Sequence, residues 1–315
     1  MAFFVVGAVC DRAIFRIRAR GRRPRLQGRL SSMRAKYNWT LPRTSIPLGT
    51  KTCVMGILNV TPDSFSDGGV HADPAVAVAR ALEVEAQGAD ILDVGGESSR
   101  PGSVAISEEE ELRRVLPVIE ALQGRLKIPI SVDTYRPEVA RRSLSAGAQI
   151  VNDISAFRFG PGMAHVVSAS RAGVVLMHSR GSREELHLQP PMLNAVAQVT
   201  KDLERAVGLA VEAGIPRSAI AIDPGIGFGK RSEESLSVLR NLKALSPLEC
   251  AVLIGTSRKS FIRKIARIEP DERYDPKWGT AATVAAAVLQ GAHIVRVHDV
   301  KEMRTLVDVL DAIVE

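Results

Sequence analysis

Between residues 53 and 299 the chain repeats one event eight times. A short run of consecutive apolar residues stops abruptly in a polar loop, and a longer stretch with apolar positions at helical spacing follows. The sharpest case is residues 54–58 (VMGIL), which give way to Asn59, Thr61, Pro62, Asp63, Ser64, Ser66, Asp67 and the pair Gly68-Gly69. An unbroken apolar run of this kind suits a strand buried on both faces. Strands are predicted over 53–60, 90–96, 129–134, 150–155, 174–178, 220–225, 251–257 and 294–299. Helices are predicted over 74–88, 107–126, 137–147, 161–173, 192–214, 232–245, 280–291 and 301–315. Gly88, Gly147, Gly173, Gly214 and Gly291 stand just past such helices, where a left-handed cap is expected. Asp73-Pro74, Ser107 with Glu110 three residues on, and Arg136-Pro137 mark helix starts. Eight strand–helix pairs without a linker-like break read as a (β/α)8 TIM barrel of class α/β. Periodicity alone leaves a doubly wound sheet as the alternative.

Composition alters this picture at one end only. The 315-residue chain is 45% hydrophobic with a mean hydropathy of +0.05, as a globular protein is. Its net charge of +7 looks like a nucleic-acid signature until it is located. Residues 1–32 hold eight arginines (12, 16, 18, 20, 22, 23, 25 and 29) against one acid, Asp11, so they carry all of it. The remainder is formally neutral, which gives no support to a nucleic-acid-binding body. Residues 1–32 therefore read as a basic, disordered extension, and residues 33–315 as one barrel domain. The apolar run 2–10 is too short to span a bilayer, and its arginines follow it, the wrong order for a secretory signal. Three separated cysteines (10, 53 and 250) make neither a disulfide framework nor a zinc site. A reducing cytoplasm, with no membrane and no nucleic-acid partner, is the expectation.

In a (β/α)8 barrel, chemistry gathers at the C-terminal ends of the strands. Here those ends read Asn59; Asp93 with Glu97, Ser98, Ser99 and Arg100; Asp133; Asn152 and Asp153; His178; Asp223; Ser257, Arg258 and Lys259; and Arg296 with His298 and Asp299. Buried carboxylates and amides need partners, so the convergent ends imply either a polar ligand site or a self-satisfied network. Asp153 and Asp299 also suit helix caps, and Asp93 suits the barrel interior. Residues 223–230 (DPGIGFGK) fail as a phosphate loop, because Pro224 replaces the first glycine and Arg231 the Ser/Thr. Six scattered histidines and no HExxH argue against a protein-caged transition metal. What remains is a set of cations (Arg258, Lys259, Arg296, His298) beside carboxylates and Asn59. That set suits an anionic group joined to a heterocycle with donor and acceptor edges.

Seven motifs, one per successive strand end, carry a resemblance. They are 54–69 (VMGILNVTPDSFSDGG), 95–102 (GGESSRPG), 131–134 (SVDT), 151–155 (VNDIS), 222–230 (IDPGIGFGK), 255–261 (GTSRKSF) and 296–300 (RVHDV). Together, over about residues 34–315, they resemble the dihydropteroate synthase family. The resemblance implies a transferase of folate biosynthesis that joins (7,8-dihydropterin-6-yl)methyl diphosphate to 4-aminobenzoate. It implies a pterin slot of Asp133, Asn152, Asp223 and Lys259, walled by Met177 and Phe228. Asn59, Arg296 and His298 would hold the diphosphate, with Asn59 offering an oxygen to a Mg2+ that the diphosphate bridges. Catalysis is expected of Asn59, Lys259, Arg296 and His298. Loops 62–65 and 99–101, which include Ser99 and Arg100, would with Ser257 shape the 4-aminobenzoate pocket, where sulfonamides are expected to compete; Arg258 is a further substrate-binding candidate. A homodimer is expected.

The sequence departs from that pattern twice. Ser99 stands where the family often has Thr, so a hydroxyl is kept and a methyl lost. After Met177-His178 the family commonly continues Met-Gln-Gly, whereas this chain reads Ser179-Arg180-Gly181. A pterin-binding methyltransferase barrel would not need the 257–259 and 296–298 cations together with the 61–69 loop. A non-catalytic pterin-binding paralogue is the third reading, opposed by the intact polar set.

Overall fold

The computed structural model describes residues 34–61, 74–99, 102–186, 188–269 and 272–314. A short antiparallel hairpin, β1 (Tyr37–Thr40) and β2 (Ser45–Leu48), precedes the repeating units. Then come β3 (Cys53–Asn59), α1 (Pro74–Ala86), β4 (Ile91–Gly95), α2 (Glu108–Leu122), β5 (Ile130–Asp133), α3 (Pro137–Ser145), β6 (Ile150–Asp153) and α4 (Met163–Ser170). The second half is β7 (Gly173–Met177), α5 (Ala195–Glu212), β8 (Ile220–Asp223), α6 (Ser232–Arg240), β9 (Ala251–Ile254), α7 (Ser260–Ile265), α8 (Pro276–Leu289), β10 (Ile294–Val297) and α9 (Val300–Val314). Strands β3 to β10 pair in parallel in chain order, and β10 returns to β3 with Ile294 opposite Cys53 and Arg296 opposite Met55. That last ladder closes the barrel and excludes the open sheet.

The two-residue period of each strand sorts its side chains between two cores. Outward residues such as Val54, Leu58, Leu92, Val94, Val132, Ile222 and Val295 pack under the helices. Inward residues near the N-terminal ends, Met55, Ile91, Ile150, Val175, Ala221, Leu253 and Ile294, form a separate apolar cluster with Trp39, Leu41 and Leu48 of the hairpin region. The hairpin thus stoppers the barrel floor, and Trp39 Nε1 donates to Ala219 O at 2.9 Å so that its polar atom is not stranded.

This stopper explains a glycine that the sequence reading misplaces. Gly88, Gly147, Gly214 and Gly291 do take positive φ after their helices. Gly173 instead begins β7, and the left-handed residue after α4 is Arg171, φ 53°. A Cβ at Gly173 would stand 2.4 Å from Leu41 Cδ2, so glycine is needed there to admit the stopper. The last crossover differs from expectation too. It holds two helices, and α8 begins at Pro276 behind an Asp275 cap whose Oδ1 accepts Lys277 N–H at 2.9 Å. Serine 107 caps α2 as its spacing predicts.

Candidate active site

Higher in the barrel the inward positions turn polar. Register aligns Asn59 with Gly95, Gly95 with Asp133, and Asp133 with Asn152 across β3 to β6. Gly95 keeps this row open, since a Cβ there would lie 3.5 Å from Asp133 Cβ and 3.7 Å from Asn59 Oδ1. Arg296 reaches across from β10. Its Nε donates to Asp93 Oδ2 and its Nη2 to Asp133 Oδ2, each at 2.6 Å. Asn152 Nδ2 donates to the same Asp93 oxygen at 3.0 Å. That bond fixes the amide's orientation and leaves Asn152 Oδ1 as an acceptor. Asp93 is fully buried, and among the described residues its Oδ1 is a buried acceptor without a partner.

Burial and the neighbouring charges displace the ionisation of Asp133 and of Arg296. Burial pushes Asp133 up to about 7; Arg296 opposes the shift and Asp93 adds to it. One-fifth of the Asp133 side chain still faces the mouth. Burial opposes the charge on Arg296, but Asp93 and Asp133 outweigh it and hold the guanidinium above its usual range. Arg296 therefore ties Asp93 and Asp133 together as much as it offers charge of its own.

The loop after β8 forms the adjoining wall. Asp223, aligned with Met177 in the ladder, is buried, and its Oδ1 accepts Gly225 N–H at 2.7 Å. Burial raises its carboxyl to about 6, while the Gly225 bond and the charges of Lys259, Lys230 and Arg296 pull it down. Gly225 must be glycine: it has φ 64°, and a Cβ would lie 1.9 Å from His178 O. Lys230 does not point at a ligand as a phosphate-loop lysine would. Its Nζ turns under the loop and donates to Gly225 O (2.9 Å), Phe228 O (3.1 Å) and His178 Nδ1 (2.8 Å). Of the two readings left open for the strand ends, the same contacts give His178 the self-satisfied network. Its Nε2 meets Asp202 of α5 at 3.1 Å, and burial beside Lys230 lowers its pKa to about 4. As neutral imidazole it accepts from Lys230 and donates to Asp202. Asp153 likewise serves structure, accepting the Ser155 and Phe157 N–H groups at 2.8 Å.

The remaining wall comes from the ends of β9 and β10. Lys259 Nζ lies 3.7 Å from the Phe228 ring centroid, a cation–π contact. Ser257 Oγ meets His298 Nδ1 at 2.9 Å and accepts the His298 backbone N–H at 3.2 Å. Arg258 forks onto Asp299 through Nη2 at 2.6 Å and Nε at 3.2 Å, so Asp299 pairs with a cation. A cavity of about 950 Å³ opens at this end of the barrel. Asn59, Ser99, Asp133, Ser257, Arg258, Lys259, Arg296 and His298 line it, as the sequence reading brings together. Asn152, Met177, Asp223 and Phe228 stand buried behind that lining. Arg100 and residues 62–65 lie outside the described residues.

Some neighbours escaped the sequence reading. Leu186, 1% exposed, packs with Ile154, Met177 and Phe228 in a small cluster beside the mouth. A lone Leu in a polar loop was its only signal. Arg183 pairs with Glu97 at 2.8 Å, and nothing in its local spacing announces that partner.

Comparison with known proteins agrees with this geometry. The family described as pterin binding enzyme matches residues 55–298. The chain is 46% identical over 262 residues to a dihydropteroate synthase of Bacillus subtilis (strain 168), covering 83% of this chain and 88% of that protein. Its fold resembles a dihydropteroate synthase of Xanthomonas albilineans solved with 4-aminobenzoic acid. That match has a TM-score of 0.79 at 41% identity and covers 89% of this chain and 98% of that one. A Yersinia pestis dihydropteroate synthase solved as a sulfonamide drug complex superposes with a TM-score of 0.80 at 37% identity, covering 88% and 98%.

Proposed function

The chain belongs to the dihydropteroate synthase family of pterin-binding enzymes, and on that premise we propose how its barrel mouth does the work. It is a transferase of folate biosynthesis, joining (7,8-dihydropterin-6-yl)methyl diphosphate to 4-aminobenzoate and releasing 7,8-dihydropteroate and diphosphate. The carbon–oxygen bond to diphosphate breaks and the arylamine nitrogen bonds to the freed methylene carbon. The leaving group takes the electron pair and the amine loses a proton.

Asp223 and Asp133 accept the N–H groups of the pterin's aminopyrimidinone edge, and Asn152 Oδ1 and Lys259 complete that contact. Asp223 Oδ1 is already committed to Gly225, which turns Oδ2 toward the ligand. Met177 and Phe228 supply the flat apolar wall. At the other side, His298 donates from Nε2. Ser257 Oγ accepts a backbone N–H, so its own proton is available to His298 Nδ1. Arg296, Lys259 and His298 counter the charge that builds on the departing diphosphate. Ser99, Arg100, Ser257 and Arg258 shape the 4-aminobenzoate pocket.

The donors fit a magnesium ion held chiefly by substrate phosphate oxygens. Asn59 offers one amide oxygen at the cavity rim, and among the described residues no group of three His, Cys, Asp or Glu forms a cage of its own. When bound, Mg2+ would supply Lewis-acid neutralisation of the diphosphate.

One observation carries the reading: Asp133 and Asp223, carboxyls with raised pKa on β5 and β8, gather with the cations of β9 and β10 at one barrel mouth. The test is diphosphate release. It should require both substrates and Mg2+, and a sulfonamide should compete with 4-aminobenzoate alone; release without 4-aminobenzoate would overturn the reading. The domain begins at about residue 33. Free, buried Cys53 and Cys250 support a reducing cytoplasm; no helix among the described residues is long and apolar enough to cross a membrane. Exposed Trp278 and Leu289 of α8, with Val309 and Ile313 of the neighbouring α9, support a homodimer, which light scattering tests.

A further inference from the structure

The loop that leaves β7 touches both sides of the mouth. On one side, Leu186 is seated in the cluster that holds Met177 and Phe228, and Arg180 Nη1 donates to Gly229 O at 3.1 Å. On the other, Arg183 reaches the segment after β4: its Nε donates to Glu97 Oε1 at 2.8 Å and its Nη2 to Ser98 O at 3.1 Å. Strands β4 and β7 are separated in the barrel by β5 and β6, so no sheet ladder makes this connection. The ion pair is sheltered, with side chains 13% and 7% exposed. Ser98 O also accepts Ser103 Oγ at 2.6 Å, and the residue that follows, Ser99, lines the cavity.

We propose that residues 179–186 form a strap that fixes the 4-aminobenzoate side of the mouth against the pterin wall. Arg183 is its positioning residue: it sets KM for 4-aminobenzoate by holding the Ser98 carbonyl, and hence Ser99, in place. The assignment of that side rests on the synthase reading above. A purely structural ion pair would serve stability instead. Stability has other holds here, because Glu97 also accepts Arg136 Nη1 at 2.7 Å and Tyr135 OH at 3.2 Å. Removing Arg183 therefore strands no buried carboxylate and should leave the fold intact.

The test uses the full chain carrying Arg183→Gln. Hydrogen exchange at the backbone amides of residues 97–99 and 102–104 should quicken, while that of 223–230 stays as in the parent. In steady-state kinetics KM for 4-aminobenzoate should rise at least about fivefold, the scale of one weakened charge-assisted hydrogen bond. Both kcat and KM for the pterin diphosphate should stay within about twofold. Arg183→Lys keeps a charge for Glu97 but lacks the fork for Ser98 O, so it should fall between parent and R183Q; it serves in place of R183Q if that variant does not fold. Unchanged exchange at 97–99 overturns the strap. Quickened exchange with an unchanged KM for 4-aminobenzoate, or with both KM values raised alike, overturns the positioning role. A parent protein that forms no dihydropteroate overturns the synthase reading instead, and exchange then judges the strap alone.

Discussion

The two sides of the barrel mouth are made of different material. The wall at β6 to β8 is strand and tight turn: Asn152, Met177, Asp223 and Phe228 are all below 8% exposed, and ladder bonds or the Gly225 N–H fix their directions. The opposite side is largely loop: Ser99, Arg258 and Lys259 lie beyond β4 and β9 and, with Asn59 at the end of β3, are half-buried or exposed. Next to Ser99, Glu97 joins Arg136 and Arg183 in one ion-pair network. A rigid, flat heterocycle with many hydrogen-bonding edges can be matched by preset strand ends. A diphosphate that must leave, and an amine that must enter, call for a side that can open.

If that contrast is right, the largest single effect belongs to the preset wall. Asp223→Asn keeps the shape, but Gly225 N–H holds the remaining carbonyl oxygen, so the amide NH2 must face the ligand where an acceptor is needed. Sites built on buried hydrogen bonds discriminate by up to ~10⁴-fold when pairing is broken. Pterin affinity should fall at least about a hundredfold, near 2.7 kcal/mol, with the melting temperature retained. Isothermal titration and thermal melting together check this. A variant that melts and binds like the parent would sink the assignment.

The loop side should give a smaller and differently shaped loss. Asn59→Ala or His298→Ala should lower turnover by roughly tenfold to a hundredfold, the scale of one charge-assisted contact. Binding of a pterin lacking diphosphate should be nearly unchanged. Equal weakening of pterin with and without diphosphate would move these residues into the slot and erase the contrast.

This difference of material also governs what the sequence makes legible. Strand ends are written locally: the switch from an apolar run to a polar residue at Asn59, Asp133 and Asp223 locates inward, mouth-facing side chains, because period two and barrel closure do the rest. Side chains whose place depends on a distant partner leave no such mark. Gly173 looks like a helix cap until Leu41 is seen against it. His178 ends a strand as the others do, and only Lys230 and Asp202 reveal that it serves the loop from beneath. The floor hairpin leaves no mark in the pattern because its four-residue strands are too short to show a period. The first helix of the last crossover, α7, leaves no mark for the same reason, being six residues long. Asp275-Pro276 was a readable start signal that the apolar pattern overshadowed.

A pH series sharpens the contrast with a smaller effect. Asp133 and Asp223 are raised to about 7 and about 6, so their ionised, accepting forms are lost as pH falls through those values. Affinity for a pterin without diphosphate, which removes the phosphate's own titration, should weaken about fivefold between pH 8 and pH 6.5. The drop should shrink in Asp223→Asn. Inhibition by an aminobenzoate analogue should stay flat over that range, because free carboxylates titrate near 4. A common slope on both sides would mean that one titration governs the whole mouth.

The smallest effect is expected farthest from either side. Residues 1–32 carry the entire formal charge of +7, yet the first anchor of the described chain is Arg34. Its Nη2 pairs with Asp311 of α9 at 2.5 Å, and its Nη1 donates to Thr52 Oγ1 at 2.7 Å, with both ionic side chains below 7% exposed. Asp311 in turn accepts Thr52 N–H at 2.5 Å, locking the entry to β3 at the barrel floor, opposite the mouth. A chain beginning at Met33 keeps all of these bonds. Its melting temperature should stay within about 2 °C of the parent, a fraction of a kcal/mol for a domain this size, and kcat/KM for both substrates should match. Arg34→Ala serves as the contrast, since it strands a buried carboxylate at about 3–5 kcal/mol and should lower the melting temperature by roughly 6–12 °C. If removing 1–32 costs as much as Arg34→Ala, the basic segment is part of the fold and the boundary at residue 33 is wrong. If it instead changes KM for one substrate only, the segment reaches the mouth, and the two-sided description is missing a third wall.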